Sequence, residues 1–204
     1  MKILIVYGTT DGMTAKIAER MAQTLRGASH TVETASTSAL PAGLDPATFE
    51  AVLVGGSIHA GGYQRSMRKF VRRHLQILRR VPSGFFSVCM AIASRDAKSR
   101  EAAWEIARAL PRELAWAPDV VEVIAGALMF SRYGFLRRFV MVRIARKEMG
   151  EVDATRDHVF TDWEAVDRFA LRFAELAQDQ RRIASTTRSA ASRASPKSMR
   201  VDGL

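Results

Sequence analysis

Residues 1–14 read MKILIVYGTTDGMT, and the order of residue types in this stretch decides the fold. Residues 2–7 are an apolar, β-branched run of the kind that forms a strand buried on both faces. They pass through Gly8-Thr9-Thr10-Asp11-Gly12 directly into Met13-Thr14, where apolar residues begin to recur at helical spacing. A strand that enters a helix through so small a turn points several backbone N–H groups at one spot, and the helix N-terminus adds partial positive charge there. Thr9, Thr10 and Thr14 can add hydroxyl donors, and Gly12 permits a backbone conformation and close approach that side chains block. The pattern suits a phosphate, and equally a turn that only caps a helix. It lacks the lysine of G-x-x-x-x-G-K-[ST] and the glycines of G-x-G-x-x-G, which disfavours nucleotide hydrolysis and nicotinamide binding.

Outward from this turn, apolar runs alternate with helix-period segments, and that alternation predicts an α/β fold with a doubly wound parallel sheet. Strands are expected at 2–7, 31–35, 51–56, 84–93 and 120–127. Helices are expected at 13–26, 64–79 and 98–114. A last helix is expected to open at Thr161-Asp162-Trp163-Glu164, a capping-box pattern, and to end near residue 178. Ligands of such sheets sit beyond the carboxyl ends of strands at the switch point. That rule brings together Thr9 to Thr14, Gly55 to Tyr63 and Ser87 to Ser94, three loops small enough to flank a flat ring.

The chain has 204 residues with 31 Lys+Arg against 21 Asp+Glu, and the excess of ten cations is unevenly placed. Residues 65–80 carry +7, residues 132–147 carry +6 and residues 181–204 carry +5, together +18, so the remainder carries 10 − 18 = −8. A mildly acidic domain with three basic regions suits phosphate-rich partners or an anionic membrane surface. A nucleic-acid module draws on the same charge but needs interleaved stacking aromatics or a recognition motif, and neither is present. One cysteine, Cys89, excludes an internal disulfide, and no apolar run reaches the ~18 residues of a membrane-spanning helix. The first strand is too short and wrongly flanked for a secretory signal, so a cytosolic chain is expected. Residues 1–178 are read as one domain, with an apolar and basic insertion at 128–150, and residues 179–204, rich in Ser, Ala and Arg, as a disordered tail.

The four histidines, His30, His59, His74 and His158, have no metal-ligand spacing, and no metal is expected. His74 falls on an apolar helix face and reads as a packed side chain. Cys89 lies in an apolar strand and reads as an inert buried thiol.

The turn resembles the Ser/Thr-x-Thr-Gly-x-Thr turn of flavodoxins, which holds the phosphate of flavin mononucleotide (FMN). MKILIVYGTTDGMT, GGSIHAGGY (55–63), FVRRH (70–74), PSGFFSV (82–88), VIAGAL (123–128), SRYGFLRRF (131–139) and TDWE (161–164) resemble, in collinear order, the flavodoxin-like, quinone-dependent protoporphyrinogen IX dehydrogenases. The Asp-Gly of the turn and the insertion belong to that family's pattern and not to simple flavodoxins. The resemblance implies strand order 2-1-3-4-5 and an FMN-dependent oxidation of protoporphyrinogen IX, in three two-electron steps of haem biosynthesis, with a membrane quinone as acceptor. It implies a peripheral position on the cytoplasmic face of the inner membrane and leaves the oligomeric state open between a monomer and a homodimer.

Carried over by position, Thr9, Thr10, Asp11, Gly12, Met13 and Thr14 wrap the phosphate. Ser57, Ile58, His59, Ala60 and Gly61 lie beside the isoalloxazine ring, and Ser87, Val88, Cys89, Met90 and Ala91 lie on its other flank. His59 is the candidate for proton handling, the alternative being that no side chain acts as base. Ala60 stands where relatives can present an aromatic ring; Tyr63 is the only nearby substitute, and a structural role suits it equally. Asp11, a carboxylate in a phosphate turn, is expected to face outward. Arg132, Tyr133, Arg137, Arg138 and Arg143 of the insertion are expected to meet lipid head groups or porphyrin propionates. The rival from another class is a soluble flavodoxin-type electron carrier without a small-molecule substrate, which the insertion argues against.

Overall fold

A computed structural model of the chain describes residues 1–58, 61–132, 134–150 and 153–194. Strands β1 (Lys2–Gly8), β2 (Thr31–Ser36), β3 (Ala51–Ser57), β4 (Ser83–Val88) and β5 (Val120–Ile124) form one parallel sheet in the order β2-β1-β3-β4-β5. Its helices are α1 (Met13–Gly27), α2 (Arg65–Arg73), the single turn α3 (Leu75–Leu78), α4 (Ala97–Glu113), α5 (Phe135–Met149) and α6 (Trp163–Ala194). Alternate residues of a strand face opposite sides of a sheet. Ile3 and Ile5 accordingly pack against Ile17, Met21, Leu25, Phe169 and Phe173 of α1 and α6, while Leu4 and Val6 pack against Met67, Phe70, Val71, Ala103 and Ala107 of α2 and α4. Residues 3–6 of β1 and 51–54 of β3 are wholly buried, as continuous apolar runs in a doubly covered sheet require.

Besides the division of the helix expected at 64–79 into α2 and α3, four boundaries differ from those expected. β4 stops at Val88, and Met90–Ala93 is a turn of 3-10 helix, because β5, its pairing partner, ends at Ile124 opposite Val88. The strand expected at 120–127 is broken at Ala125-Gly126: Ala127–Leu128 (β6) leaves the sheet and pairs antiparallel with His158–Val159 (β7). Asp162, not Thr161, caps α6, accepting from Ala165 N at 2.9 Å, while the Thr161 hydroxyl donates to the Ala125 carbonyl at 2.6 Å.

The last difference is the end of α6, expected near residue 178: residues 179–194 continue it as helix. Its overhang is anchored where Gln180 donates to Asp119 and Arg181 pairs with Glu50, at the amino ends of β5 and β3. Beyond the anchor, Ser185, Thr186 and Thr187 turn their hydroxyls back onto helix carbonyls, and the intervening Ala and Arg are strong helix formers. The rest of the expected tail, 195–204, lies outside the described residues.

The segment 128–150, expected as an insertion, contributes α5 and a satellite core of Leu128, Met129, Phe130 and Ala145, with Met90 of the loop after β4 against it. None of the described helices is long and apolar enough to cross a membrane.

Candidate functional site

Parallel pairing sets the geometry of the site. Gly8 lies beside Gly56 and Ser57 beside Val88, so the loops after β1, β3 and β4 leave the sheet side by side at its carboxyl edge. In the first loop Gly12 has φ 87°, a left-handed conformation that any side chain would strain. Its amide donates to Thr9 Oγ1 at 3.0 Å, which leaves the Thr9 hydroxyl proton free to be given outward. The N-cap residue of α1 is Gly12, which has no side chain to cap the first amides of the helix. Thr14 Oγ1, at the same helix end, is fully buried and has no hydrogen-bond partner among the described residues.

A buried hydroxyl without a partner costs about 1–3 kcal/mol, and such atoms in folded chains generally await a ligand, ion or water. The orphaned hydroxyl, the helix amides and the glycine are together what a phosphate dianion requires, so the turn fits the phosphate of FMN. Thr10 is exposed and Asp11 half-buried on the rim. The Met13 side chain is buried in the core beneath α1, so only its backbone can face the turn.

The second loop is only partly described: Ser57 and Ile58 are placed, His59 and Ala60 lie outside the described residues, and Gly61 follows at φ 76°. The Ile58 amide already donates to the Val88 carbonyl and the Cys89 amide to the Ile124 carbonyl, both at 3.0 Å, so neither is available to a ligand. On the third loop Cys89, Met90 and Ala91 are half-buried at the sheet edge, whereas Val88 is in the core.

Two expected features of this edge are different in kind. Ser87 is fully buried, and its hydroxyl is paired with the Tyr63 hydroxyl at 2.7 Å, so Ser87 turns into the core and away from the loops. Tyr63 is a core residue too, edge-on to Phe85 at 5.5 Å, and burial pushes its phenol pKa well above the usual value. It does not replace the missing aromatic of residue 60. The glycines of β3 are small for the same internal reason: a Cβ on Gly55 would stand 2.1 Å from the Phe86 ring, and one on Gly56 2.8 Å from Tyr63.

A residue outside the expected set joins the loops. Gln64, in the link between β3 and α2, donates from Nε2 to Ser57 Oγ at 2.7 Å and to Thr10 Oγ1 at 3.1 Å. The sequence offers no signal for it beyond a polar residue just ahead of a helix.

In the insertion, Phe135, Phe139 and Val140 of α5 are 91%, 66% and 47% exposed, while Met129 and Phe130 are buried and unavailable for outside contact. Arg143 is exposed, and half-buried Arg138 donates to the Ala154 carbonyl at 2.6 Å. Tyr133 and the side chains of Arg132 and Arg137 lie outside the described residues. Cys89 is half-buried, less enclosed than its strand position suggested, and His74 packs against Phe70 at 4.7 Å with its pKa lowered by burial.

Comparison with known proteins agrees with this geometry. A family model for the flavodoxin domain matches residues 4–155. The protoporphyrinogen IX dehydrogenase [quinone] of Escherichia coli K12 is 34% identical over 178 residues, spanning 86% of this chain and 96% of that protein. The protein of the same name from Leishmania major is 36% identical over 177 residues, spanning 86% of this chain and 75% of that one. Among solved structures, an archaeal flavodoxin superposes with TM-score 0.51 at 17% identity, over 87% of this chain and 99% of its own, a likeness of fold.

Proposed function

The chain belongs to the flavodoxin domain family, and from that membership and its collinear likeness to the quinone-dependent dehydrogenases we propose that it oxidises protoporphyrinogen IX and passes the electrons to a membrane quinone. The observation that carries the cofactor half of this reading is the orphaned, buried Thr14 hydroxyl beside the first helix amides. FMN is the cofactor the family implies, and bound at this edge it supplies two-electron chemistry. Three such rounds remove six electrons and six protons from the porphyrinogen and reduce three quinones to quinols.

The chain's own part is to hold and orient. Thr9, Thr10 and Thr14 present hydroxyls to the phosphate, and Gly12 keeps the backbone clear of it. The loops following Ser57 and Val88 flank the ring, and Met90 joins that flank to α5. His59, on the ring side, is the side chain assigned to proton handling, and a His59→Ala enzyme with unaltered rate and pH profile would dismiss it. The exposed face of α5 is assigned to an anionic membrane surface, where the quinone is dissolved and where each Lys or Arg contributes roughly 1 kcal/mol.

Anaerobic mixing of the purified yellow protein with protoporphyrinogen IX tests the whole reading. Flavin bleaching together with a rising porphyrin Soret band is the expected result. A flavin that bleaches only with a reductase would instead mark an electron carrier.

A further inference from the structure

Gln64 lies between two hydroxyls that belong to different loops of the site. Its Nε2 donates one hydrogen to Ser57 Oγ at the end of β3 and the other to Thr10 Oγ1 in the phosphate turn. Its Oε1 is buried and has no partner among the described residues, and a Cβ on Gly8 would stand 2.9 Å from it. Reversing the amide would turn the carbonyl to the two hydroxyls but leave two N–H donors buried against Gly8. Unpaired buried donors are rarer and costlier than one unpaired carbonyl oxygen, so the orientation with Nε2 toward the hydroxyls is favoured.

That orientation has a chemical consequence. A hydroxyl has one proton, and an oxygen that accepts from an amide N–H keeps that proton for another acceptor. Thr10 and Ser57 each accept from Gln64, and no other hydrogen bond is drawn to either hydroxyl among the described residues. Both are therefore set as donors at the carboxyl edge of the sheet, Thr10 on the phosphate side and Ser57 on the ring side.

We propose that Gln64 is a positioning residue: its amide ties the loop after β1 to the end of β3 and fixes the Thr10 and Ser57 hydroxyls as donors toward the bound flavin. The role rests on the FMN reading above. A donor at the ring favours the reduced, more electron-rich flavin over the oxidised form, so Gln64 acts on the reduction potential through Ser57 and on affinity through Thr10.

Two variants test it in the full-length protein, each titrated with FMN and each poised spectroelectrochemically for the two-electron midpoint potential, with urea unfolding as a control for the fold. Gln64→Met keeps the side-chain length and removes both bridges. Its FMN dissociation constant is expected to rise about tenfold, as for the loss of one hydrogen bond to a charged group. Gln64→Glu supplies a carboxylate that accepts from both hydroxyls and turns their protons away from the flavin. Its potential is expected to fall below that of Gln64→Met, a tenfold loss of preference for the reduced form being about 30 mV for a two-electron couple. If the wild type binds FMN and both variants keep its dissociation constant and potential, the role of Gln64 is overturned alone. A wild type that takes up no FMN overturns the flavin reading, and this role with it.

Discussion

Thr14 shows how a single atom reports a ligand. Its hydroxyl is withdrawn from water with no partner among the described residues, which disfavours the ligand-free fold, and an acceptor bound there recovers the cost. Thr14→Val has nearly the same shape without the hydroxyl. It is expected to leave stability to urea in the absence of FMN equal or higher, and to weaken FMN about 10- to 100-fold by fluorescence titration, the range for a hydrogen bond to a charged group. Tyr63 gives the opposite pattern, because its hydroxyl serves Ser87 inside the core. Tyr63→Phe leaves Ser87 buried and unpaired, at a cost of about 1–3 kcal/mol in urea unfolding, with FMN affinity unchanged. The raised phenol pKa adds a sign. Above the ordinary value near 10 the unfolded chain ionises first, so wild-type stability falls with rising pH and the Phe variant lacks that contribution. The strand–turn–helix passage that fits a phosphate was legible in the sequence because it is local, all of it within the eight positions from Tyr7 to Thr14. Ser87 and Gln64 were not, because which way Ser87 points depends on Tyr63, 24 positions away, and what Gln64 joins depends on Thr10, 54 positions away.

At the scale of elements, α1 and α6 are joined across the seam that covers one face of the sheet. Arg20 grips Asp167 with Nε at 2.8 Å and Nη2 at 2.6 Å, and the Thr24 hydroxyl donates to the same carboxylate. The hydrogen bond from Arg20 is the main reason the Asp167 carboxyl is held below its ordinary pKa of 3.8, while burial opposes the shift. A carboxylate depressed in the folded state stabilises it fully above the unfolded value, and that contribution fades as pH falls below about 3.8 toward the folded value. Asp167→Asn is therefore expected to be less stable than wild type in urea at pH 7, and the gap should narrow in titrations below pH 3.8. A gap that is constant with pH would assign the loss to packing alone. The seam was readable in outline, since Ile17, Met21 and Leu25 on one helix and Phe169 and Phe173 on the other recur at helical spacing. The length of α6 was not, because what anchors its overhang is Glu50 and Asp119, far away in sequence. Likewise β4 ends where β5 ceases to pair with it, a limit that no property of residues 84–93 contains.

Over the whole molecule, two of the three basic regions, 65–80 and 132–147, form differently built surfaces. On α2, Arg65, Lys69, Arg72 and Arg73 are exposed with no large apolar side chain among them, an ordinary solvated face. On α5 the exposed Arg143 and Arg146 accompany Phe135 and Phe139, rings that lie outside the satellite core of Leu128, Met129, Phe130 and Ala145. Charge alone would bring either surface to an anionic bilayer, but only α5 can also place apolar area in it, at roughly 1.5–3 kcal/mol for each ring buried. The two contributions separate by salt, since head-group attraction is screened within about a Debye length and apolar burial is not. In flotation with vesicles containing anionic lipid, Phe135→Ser/Phe139→Ser is expected to bind at low salt and to be released completely as salt is raised. Arg143→Gln/Arg146→Gln is expected to bind less at low salt and to change little with salt, and both variants should keep FMN. Flotation of both variants equal to wild type at every salt concentration would remove α5 from the membrane contact. Met90, in the loop after β4, packs against the core beneath α5, so the element that carries those rings adjoins the carboxyl edge of the sheet where the flavin is proposed to sit.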